Sequence, residues 1–319
     1  MLMLKKTIAA LSLLSILAAC QNDENPSQPE PKPRQDINLT RAEQEFMDKG
    51  TDFAFRFFDQ VCSTEKEKPN VFVSPLSASL CLSMITNGAT DNTLAEMQNV
   101  LGFPANTFSL DDLNNYNQKL TSALLDLDNT TQLGIANSIW IEEGFKVYDS
   151  FVDVNKKMYD AQVQELDFTS PTAKDVINQW CATQTNNCIK EVIQEIPADA
   201  RMYLINALYF KGIWKSQFDK SATGQDNFTN VDGSQQKVAM MNQTATFSYT
   251  QTDDFSIAEL PYGNEAFSMV ILLPSGDKTL DESLPNLNYE NWKQWSKNMV
   301  GKELQIKLPR FKVEYDKEL

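Results

Sequence analysis

Residues 201–214, RMYLINALYFKGIW, decide the fold class of this chain. From Arg201 to Lys211 the residues are mostly apolar, and neither face of the strand they would form is polar. A strand of that kind is covered on both sides. The stretch therefore predicts a strand inside a sandwiched sheet, with Asn206 as a polar residue in its interior.

The segments around this strand alternate between helical and strand patterns. Helices are predicted over residues 40–61, 76–87, 92–102, 148–159, 170–183 and 289–299. Further strands are predicted over residues 71–73, 133–141, 161–168, 255–260, 267–273 and 304–308. Because no repeat and no second linker separates these segments, the pattern indicates one α+β domain, with boundaries at residues 40 and 319.

Two of the predicted helices have clear start signals. Thr40 and Glu43 have the spacing of a capping box. Ser74 followed by Pro75 is typical of an N-cap and first turn. The second helix is apolar nearly all round and is therefore expected to be buried.

The N-terminus has the pattern of a bacterial lipoprotein signal. Lys5 and Lys6 precede an apolar run, Ile8–Leu17, that is too short to span a bilayer. It ends in Leu-Ala-Ala-Cys20, which resembles a lipobox, although an ordinary signal with a chance cysteine would look similar. We expect a signal peptide over residues 1–19, a lipidated Cys20, and a proline-rich tether over residues 20–39. The residues after Cys20 resemble those of outer-membrane lipoproteins with a periplasmic or cell-surface domain.

Composition narrows the function classes. The chain has no histidine, which removes imidazole bases and histidine-based zinc sites. Two Ser-x-x-Lys patterns, beginning at Ser63 and Ser275, lack the companion motifs of a hydrolase. We therefore expect no enzyme activity, catalytic residue, metal or cofactor. The net charge of −15 also argues against nucleic-acid binding.

Five blocks of sequence, in order along residues 41–319, resemble the serpin family of protease inhibitors. They are Asn70–Ser77 (continued by Met84, Gly88, Ala89 and Thr93), Ile205–Trp214 (with Phe218), Val238–Asn242, Glu259–Tyr262 and Leu308–Tyr315. The resemblance implies a single domain with a large mixed main sheet, further antiparallel sheets and about eight helices.

The resemblance also implies a mechanism. A serpin offers an exposed loop to a serine or cysteine endopeptidase, and the cleaved loop inserts as a new strand into the main sheet. Ser74, Ser77 and Asn206 would belong to the polar cluster beneath the parting strands (the shutter). Trp214 would lie where insertion begins (the breach). Taken singly, these residues could equally be an N-cap, a small packing residue, a buried strand residue and a core aromatic.

The chain departs from the family pattern after Trp180. Asn187 and Cys188 stand where the family usually has Gly-Lys. A Cys181–Cys188 disulfide is conceivable in an oxidising compartment, but four remaining cysteines allow three pairings. Cys81 is expected to be a free core thiol.

The resemblance ends at Leu319, before the family's bait loop and closing strands, so the sequence predicts a C-terminally truncated serpin. Two functions remain open. The chain is part of an inhibitor whose partner is an endopeptidase, or it is a non-inhibitory surface binding protein or decayed fragment. In either case we expect a membrane-anchored monomer.

Overall fold

The computed structural model describes residues 30–65, 70–103 and 107–315. Its helices are α1 (Arg41–Thr64), α2 (Pro75–Thr86), α3 (Asp91–Leu101), α4 (Leu110–Asp126), α5 (Asp149–Tyr159), α6 (Ala173–Gln184), α7 (Leu280–Ser283) and α8 (Tyr289–Lys297). Its strands are β1 (Gln132–Glu142), β2 (Gln162–Leu166), β3 (Met202–Lys211), β4 (Gly224–Thr229), β5 (Gln235–Gln251), β6 (Phe255–Pro261), β7 (Ser268–Pro274) and β8 (Val300–Pro309).

Both predicted helix starts are confirmed. The backbone N–H of Thr40 donates to the Glu43 carboxylate at 2.7 Å, and the Thr40 hydroxyl accepts from the Glu43 N–H at 3.3 Å. A hydrogen bond from Lys119, together with the one from the Thr40 backbone, holds the pKa of Glu43 below its usual value. The capping box thus ties the start of α1 to α4 through the Glu43–Lys119 ion pair.

The strands form one mixed and one antiparallel sheet. In the first sheet the order is β2-β1-β3, with β1 parallel to β2 and antiparallel to β3. In the second sheet the order is β4-β5-β6-β7, and β8 pairs with the long strand β5. This α+β architecture, with eight helices among the described residues, confirms the predicted fold class.

Strand β3 is covered on both faces, as its apolar sequence predicts. Met202 and Leu204 pack on the face covered by α2 and α5. Alternate residues point to opposite faces of a strand, so Tyr203 and Ile205 lie on the other face, against α6. Asn206 follows Leu204 at a spacing of two and therefore belongs to the α2 face.

Two local predictions differ from the structure. Residues 71–73 form no strand, because no segment in the described part of the chain pairs with them, and Phe72 is 68% exposed. Helix α6 begins at Ala173 after Thr172, rather than directly after Ser170 and Pro171.

The described residues from Pro31 to residue 315 belong to one compact unit. Lys32, in the predicted tether, donates from its backbone to Asn129 at 2.8 Å and from its ammonium group to Asp126 at 2.7 Å. Residues 31–39 therefore belong to the domain's compact unit. The predicted signal peptide (residues 1–19) and Cys20 lie outside the described residues. No helix in the described ranges has the length and hydropathy needed to cross a bilayer.

Candidate functional site

Ser74 and Ser77 form a bonded pair at the start of α2. Ser74 is the N-cap, and its Oγ accepts from the backbone N–H of Ser77 at 3.2 Å. The Ser77 hydroxyl donates to the same oxygen at 3.0 Å. Both side chains are half-buried. The N-cap role and the polar pair are therefore compatible, since one hydroxyl serves both.

Asn206 lies in the middle of β3, opposite Asn137 on β1. Its Nδ2 donates to Asn137 Oδ1 at 2.8 Å, and Asn137 Nδ2 donates to the carbonyl oxygen of Tyr159 at 2.7 Å. The Oδ1 of Asn206 is buried and has no hydrogen-bond partner among the described residues. A buried acceptor without a donor costs free energy, so this oxygen lowers the stability of the folded protein.

The structure does not bond the serine pair to Asn206. Within residues 30–65, 70–103 and 107–315, no hydrogen bond joins Asn206 to Ser74 or Ser77. Their link is helix α2 itself, which packs on β3 through Cys81. The Cys81 thiol lies 3.9 Å from the carbonyl oxygen of Leu204, and burial raises its pKa to about 11.

A buried polar network extends from Asn137, and the motifs did not predict it. The Tyr159 hydroxyl donates to Asn114 Oδ1 at 2.7 Å and accepts from Asn117 Nδ2 at 3.2 Å. Asn114 in turn exchanges two hydrogen bonds with Asn87 at the end of α2, at 2.8 and 3.1 Å. Burial raises the pKa of Tyr159 to about 12, although hydrogen bonds from its neighbours partly oppose this. The only sequence signal was the unusual presence of asparagines among apolar residues.

Trp214 lies just beyond the end of β3, in an aromatic cluster. Its ring stacks on Tyr262 with centroids 4.4 Å apart and planes 16° apart, and the two residues form an isolated antiparallel bridge. Phe218 meets Trp214 edge-on at 6.0 Å, and Phe210 meets Tyr262 in the same way at 5.3 Å. Such pairs add about 0.5–1.5 kcal/mol beyond the area they bury.

Gly212 permits the close approach of Tyr262. A Cβ at this position would lie 2.6 Å from Cδ1 of the Tyr262 ring, which is closer than real contacts allow. The neighbouring backbone is also paired, since Gly263 donates to Ile213 at 2.8 Å and Lys215 donates to Pro261 at 2.9 Å. The chain after β3 is thus held against the β6–β7 turn by both backbone and rings.

The conceivable Cys181–Cys188 disulfide is not formed. Cys181 is buried on the core face of α6, and burial raises its pKa to about 11, whereas Cys188 is exposed beyond the helix end. Asn186 and Asn187, both with positive φ, turn the chain between them. Cys62 and Cys81 also carry free thiols.

The described part of the chain contains no group of three or more His, Cys, Asp or Glu side chains arranged to hold a metal ion. The arrangement suits a conformational change: the hydrogen-bonded amides of Asn206 and Asn137 lie on the β3–β1 pair, and the Trp214–Tyr262 stack lies at the end of β3.

A family model described as serpin (serine protease inhibitor) matches residues 48–319. An uncharacterized serpin-like protein of Methanosarcina acetivorans is 33% identical over 274 residues, covering 84% of this chain and 63% of that protein. This chain thus spans less than two thirds of that relative's length.

Solved structures agree with this match. The native state of the thermophilic serpin tengpin superposes with a TM-score of 0.77 at 30% identity, over 89% of this chain and 70% of tengpin. Ovalbumin from emu (Dromaius novaehollandiae) superposes with a TM-score of 0.78 at 25% identity, over 84% and 74%. The expectation that the chain has no enzyme activity is withdrawn. The matching family is described as serine protease inhibitors, and that description names what the family acts on without testing catalysis in this chain.

Proposed function

Because the chain belongs to the serpin family, we propose that it is the scaffold of a suicide-substrate inhibitor of serine endopeptidases, with cysteine endopeptidases as a second target class. The target's nucleophile attacks a bait-loop carbonyl, the new amine leaves, and the loop remains joined to the enzyme as an ester or thioester. Insertion of the loop into the main sheet then traps this acyl-enzyme.

The observation that carries the proposal is the state of Asn206. This amide holds β3 to β1 through Asn137, yet its own Oδ1 lies buried without a donor. A strand arriving beside β3 could supply that donor, which would favour the inserted state. Hydrogen-bonded groups suit a part of the protein that must exchange partners, because fixed apolar packing resists such exchange.

The position of β3 supports the same mechanism. Among the described residues β3 has β1 as its one strand neighbour. We place the inserted strand along the other edge of β3, where it would pair through backbone hydrogen bonds. Trp214 and Tyr262 lie past the end of β3, where we place the start of insertion. Ser74 and Ser77 set the first turn of α2, the helix on which β3 rests.

The test uses the product of the complete gene, with the coding DNA read past the codon for Leu319. It is mixed with trypsin-like, chymotrypsin-like and elastase-like serine proteases and with a papain-like cysteine protease. A complex that survives boiling in SDS supports the proposal. Loop cleavage by these proteases without any such complex contradicts it, as does a stop codon after Leu319.

A second candidate is a non-inhibitory binding protein with a serpin fold, favoured by the likeness to emu ovalbumin. The two functions differ in what loop cleavage does. An inserting protein gains a paired strand, so its melting temperature rises after cleavage. A protein that does not insert its loop keeps the same melting temperature.

We place the protein on a bacterial outer membrane, facing the periplasm or the cell exterior. The support is the lipobox ending in Cys20, after the signal peptide proposed for residues 1–19 and before a tether ending near residue 39. Labelling of cells with radioactive palmitate tests this directly. Incorporation that is lost in Cys20→Ala supports the anchor, whereas equal labelling of both proteins contradicts it.

A further inference from the structure

Asp128, in the turn between α4 and β1, is a nearly buried carboxylate that accepts four hydrogen bonds. The whole Asp128 residue is only 4% exposed. Oδ1 accepts from the backbone N–H and the hydroxyl of Thr130, at 2.8 and 2.7 Å. Oδ2 accepts from the hydroxyl of Thr131 at 2.9 Å and from the backbone N–H of Asn264 at 3.3 Å. Burial opposes ionisation, yet these bonds outweigh it and hold the pKa of Asp128 below its usual value.

The bond to Asn264 is a contact between distant parts of the chain. Asn264 lies in the turn between β6 and β7, and its Nδ2 also donates to the carbonyl oxygen of Leu127 at 2.7 Å. Its Oδ1 accepts from the N–H of Ala266, so every polar group of this side chain is used within the two turns. The α4–β1 turn and the β6–β7 turn are therefore fastened together at two adjacent residues.

Gly263 shows how closely the two turns approach. A Cβ on Gly263 would lie 2.1 Å from the Thr130 hydroxyl and 2.2 Å from Asp128 Oδ2, and its φ is +36°. A side chain at this position would therefore push the two turns apart. The Gly263 N–H donates to Ile213, directly before Trp214.

Tyr262 joins this fastening to the breach. It immediately precedes Gly263, and its ring stacks on Trp214. Asp128 precedes β1, whereas Trp214 follows β3, so the fastening holds together the chain at the same end of two antiparallel neighbours. A shift of residues 263–264 would move the Tyr262 ring relative to Trp214.

We propose that Asp128 is a positioning residue for the breach: it anchors residues 263–264 and thereby keeps the Tyr262 ring stacked on Trp214. The chain at the end of β3 thus stays held against the β6–β7 turn. This inference rests on the proposed function for its biological meaning, although the positioning itself is a property of the described chain. Insertion beside β3 would then begin by loosening this anchor.

The test compares Asp128→Asn with Asp126→Asn. The first substitution would keep one carbonyl oxygen at the site but turn an N–H₂ group towards donors. Asp126 lies two residues away, and its side chain is 82% exposed and pairs with Lys32. Amide exchange of Gly263 and Lys215 reports the fastening, since their N–H groups bond Ile213 and Pro261. Introducing Trp214→Phe into each variant and measuring the near-UV circular dichroism that is lost gives the contribution of Trp214. This contribution reports the Trp214–Tyr262 stack.

Asp128→Asn is expected to speed exchange at Gly263 and Lys215 about tenfold or more and to reduce the Trp214 signal, with exchange in the β4–β5 hairpin unchanged. Asp126→Asn should match the original protein. If Asp128→Asn does not fold, Thr131→Val and Thr131→Ser provide a milder pair, in which only valine removes the hydroxyl donor.

Unchanged exchange and an unchanged Trp214 signal in both Asp128→Asn and Thr131→Val would overturn the positioning role. A global increase in exchange with no excess at Gly263 would overturn it as well, because that is the signature of general destabilisation. The proposed function fails separately: if the complete gene product forms no covalent complex while Asp128→Asn still loosens the Trp214 pair, the positioning role stands and inhibition does not.

Discussion

Asn206 on β3 and Asn137 on β1 are opposite partners in the antiparallel ladder, and Asn206 Nδ2 donates to Asn137 Oδ1 across 2.8 Å. The pair lies on the face that α2 and α5 cover, among apolar neighbours. Asn137 passes the connection to the backbone of Tyr159, whose hydroxyl reaches Asn114 and Asn117. One polar network therefore runs from the strand pair to helices α4 and α5.

Asn206→Ala should lower the free energy of unfolding by about 1–2 kcal/mol, because leaving Asn137 Oδ1 buried without a donor and losing the packed side chain outweigh the relief of removing the unpaired Asn206 Oδ1. Denaturant unfolding measures this, and Asn227→Ala in the exposed strand β4 is a matched control that should be neutral. In the product of the complete gene, the proposed function predicts that the same change alters the rate of loop insertion. If melting temperature and insertion are both unchanged, the shutter role of Asn206 is wrong.

Tyr159→Phe should cost about 1–3 kcal/mol, because it removes one hydroxyl that serves both Asn114 and Asn117 in a buried site. Tyr148, which is 84% exposed, provides the control, and Tyr148→Phe should leave unfolding unchanged. Equal effects of the two substitutions on urea midpoints would contradict the network.

The same hydroxyl predicts a loss of stability at alkaline pH. Burial raises the pKa of Tyr159 to about 12, above the value near 10 expected in the unfolded chain. Its contribution is therefore fully present below pH 10 and is lost as pH rises towards 12, by about 2–3 kcal/mol in total. The free energy of unfolding, measured from pH 9 to 12, should fall less steeply in Tyr159→Phe than in the original protein. Parallel curves for the two proteins would contradict this.

Gly212→Ala should destabilise the protein by about 1–3 kcal/mol, because the new methyl group would collide with the Tyr262 ring. Tryptophan fluorescence should change as the Trp214–Tyr262 stack is displaced. Gly224→Ala is the control, since a Cβ there meets nothing within 4 Å and the backbone has no positive φ. The contact is refuted if both alanines leave the melting temperature and the fluorescence spectrum unchanged.

Substitutions at Asn187, where the family usually has glycine, test whether the positive φ at this position affects stability. Its φ of 59° is a conformation that glycine adopts freely and that costs other residues about 1–2 kcal/mol, asparagine somewhat less. Thermal unfolding should therefore rank Asn187→Gly at or above the original protein and Asn187→Ala about 1 kcal/mol below it. An alanine variant as stable as the glycine variant would contradict the strained turn.

Local features were predictable from the sequence, whereas pairings between distant residues were not. The caps at Thr40 and Ser74 depend on residues three apart, which a sequence displays directly. The Asn206–Asn137 contact depends on strand register across 69 residues, and apolar periodicity carries no such information. For the same reason residues 71–73 look like a strand by composition but have no strand partner among the described residues.

The cysteine pair shows a related limit. Cys181 and Cys188 are close in sequence, but α6 turns the first into the core and the following turn carries the second to the surface. Spacing could not reveal which side of the helix faces inward. Trp214 was predicted as a site residue through the family motif, whereas its anchor at Asp128 has no motif and emerged only from the contacts.

The most direct test of the central claim is amide exchange along β3, Met202–Lys211, in the free complete protein and in its complex with a protease. Strand insertion places a permanently paired strand along the outer edge of β3, where the sheet could previously part, so alternate amides should exchange at least about tenfold more slowly in the complex. Unchanged exchange along β3 in a covalent complex would show that the protease is held without insertion, and the account would fail.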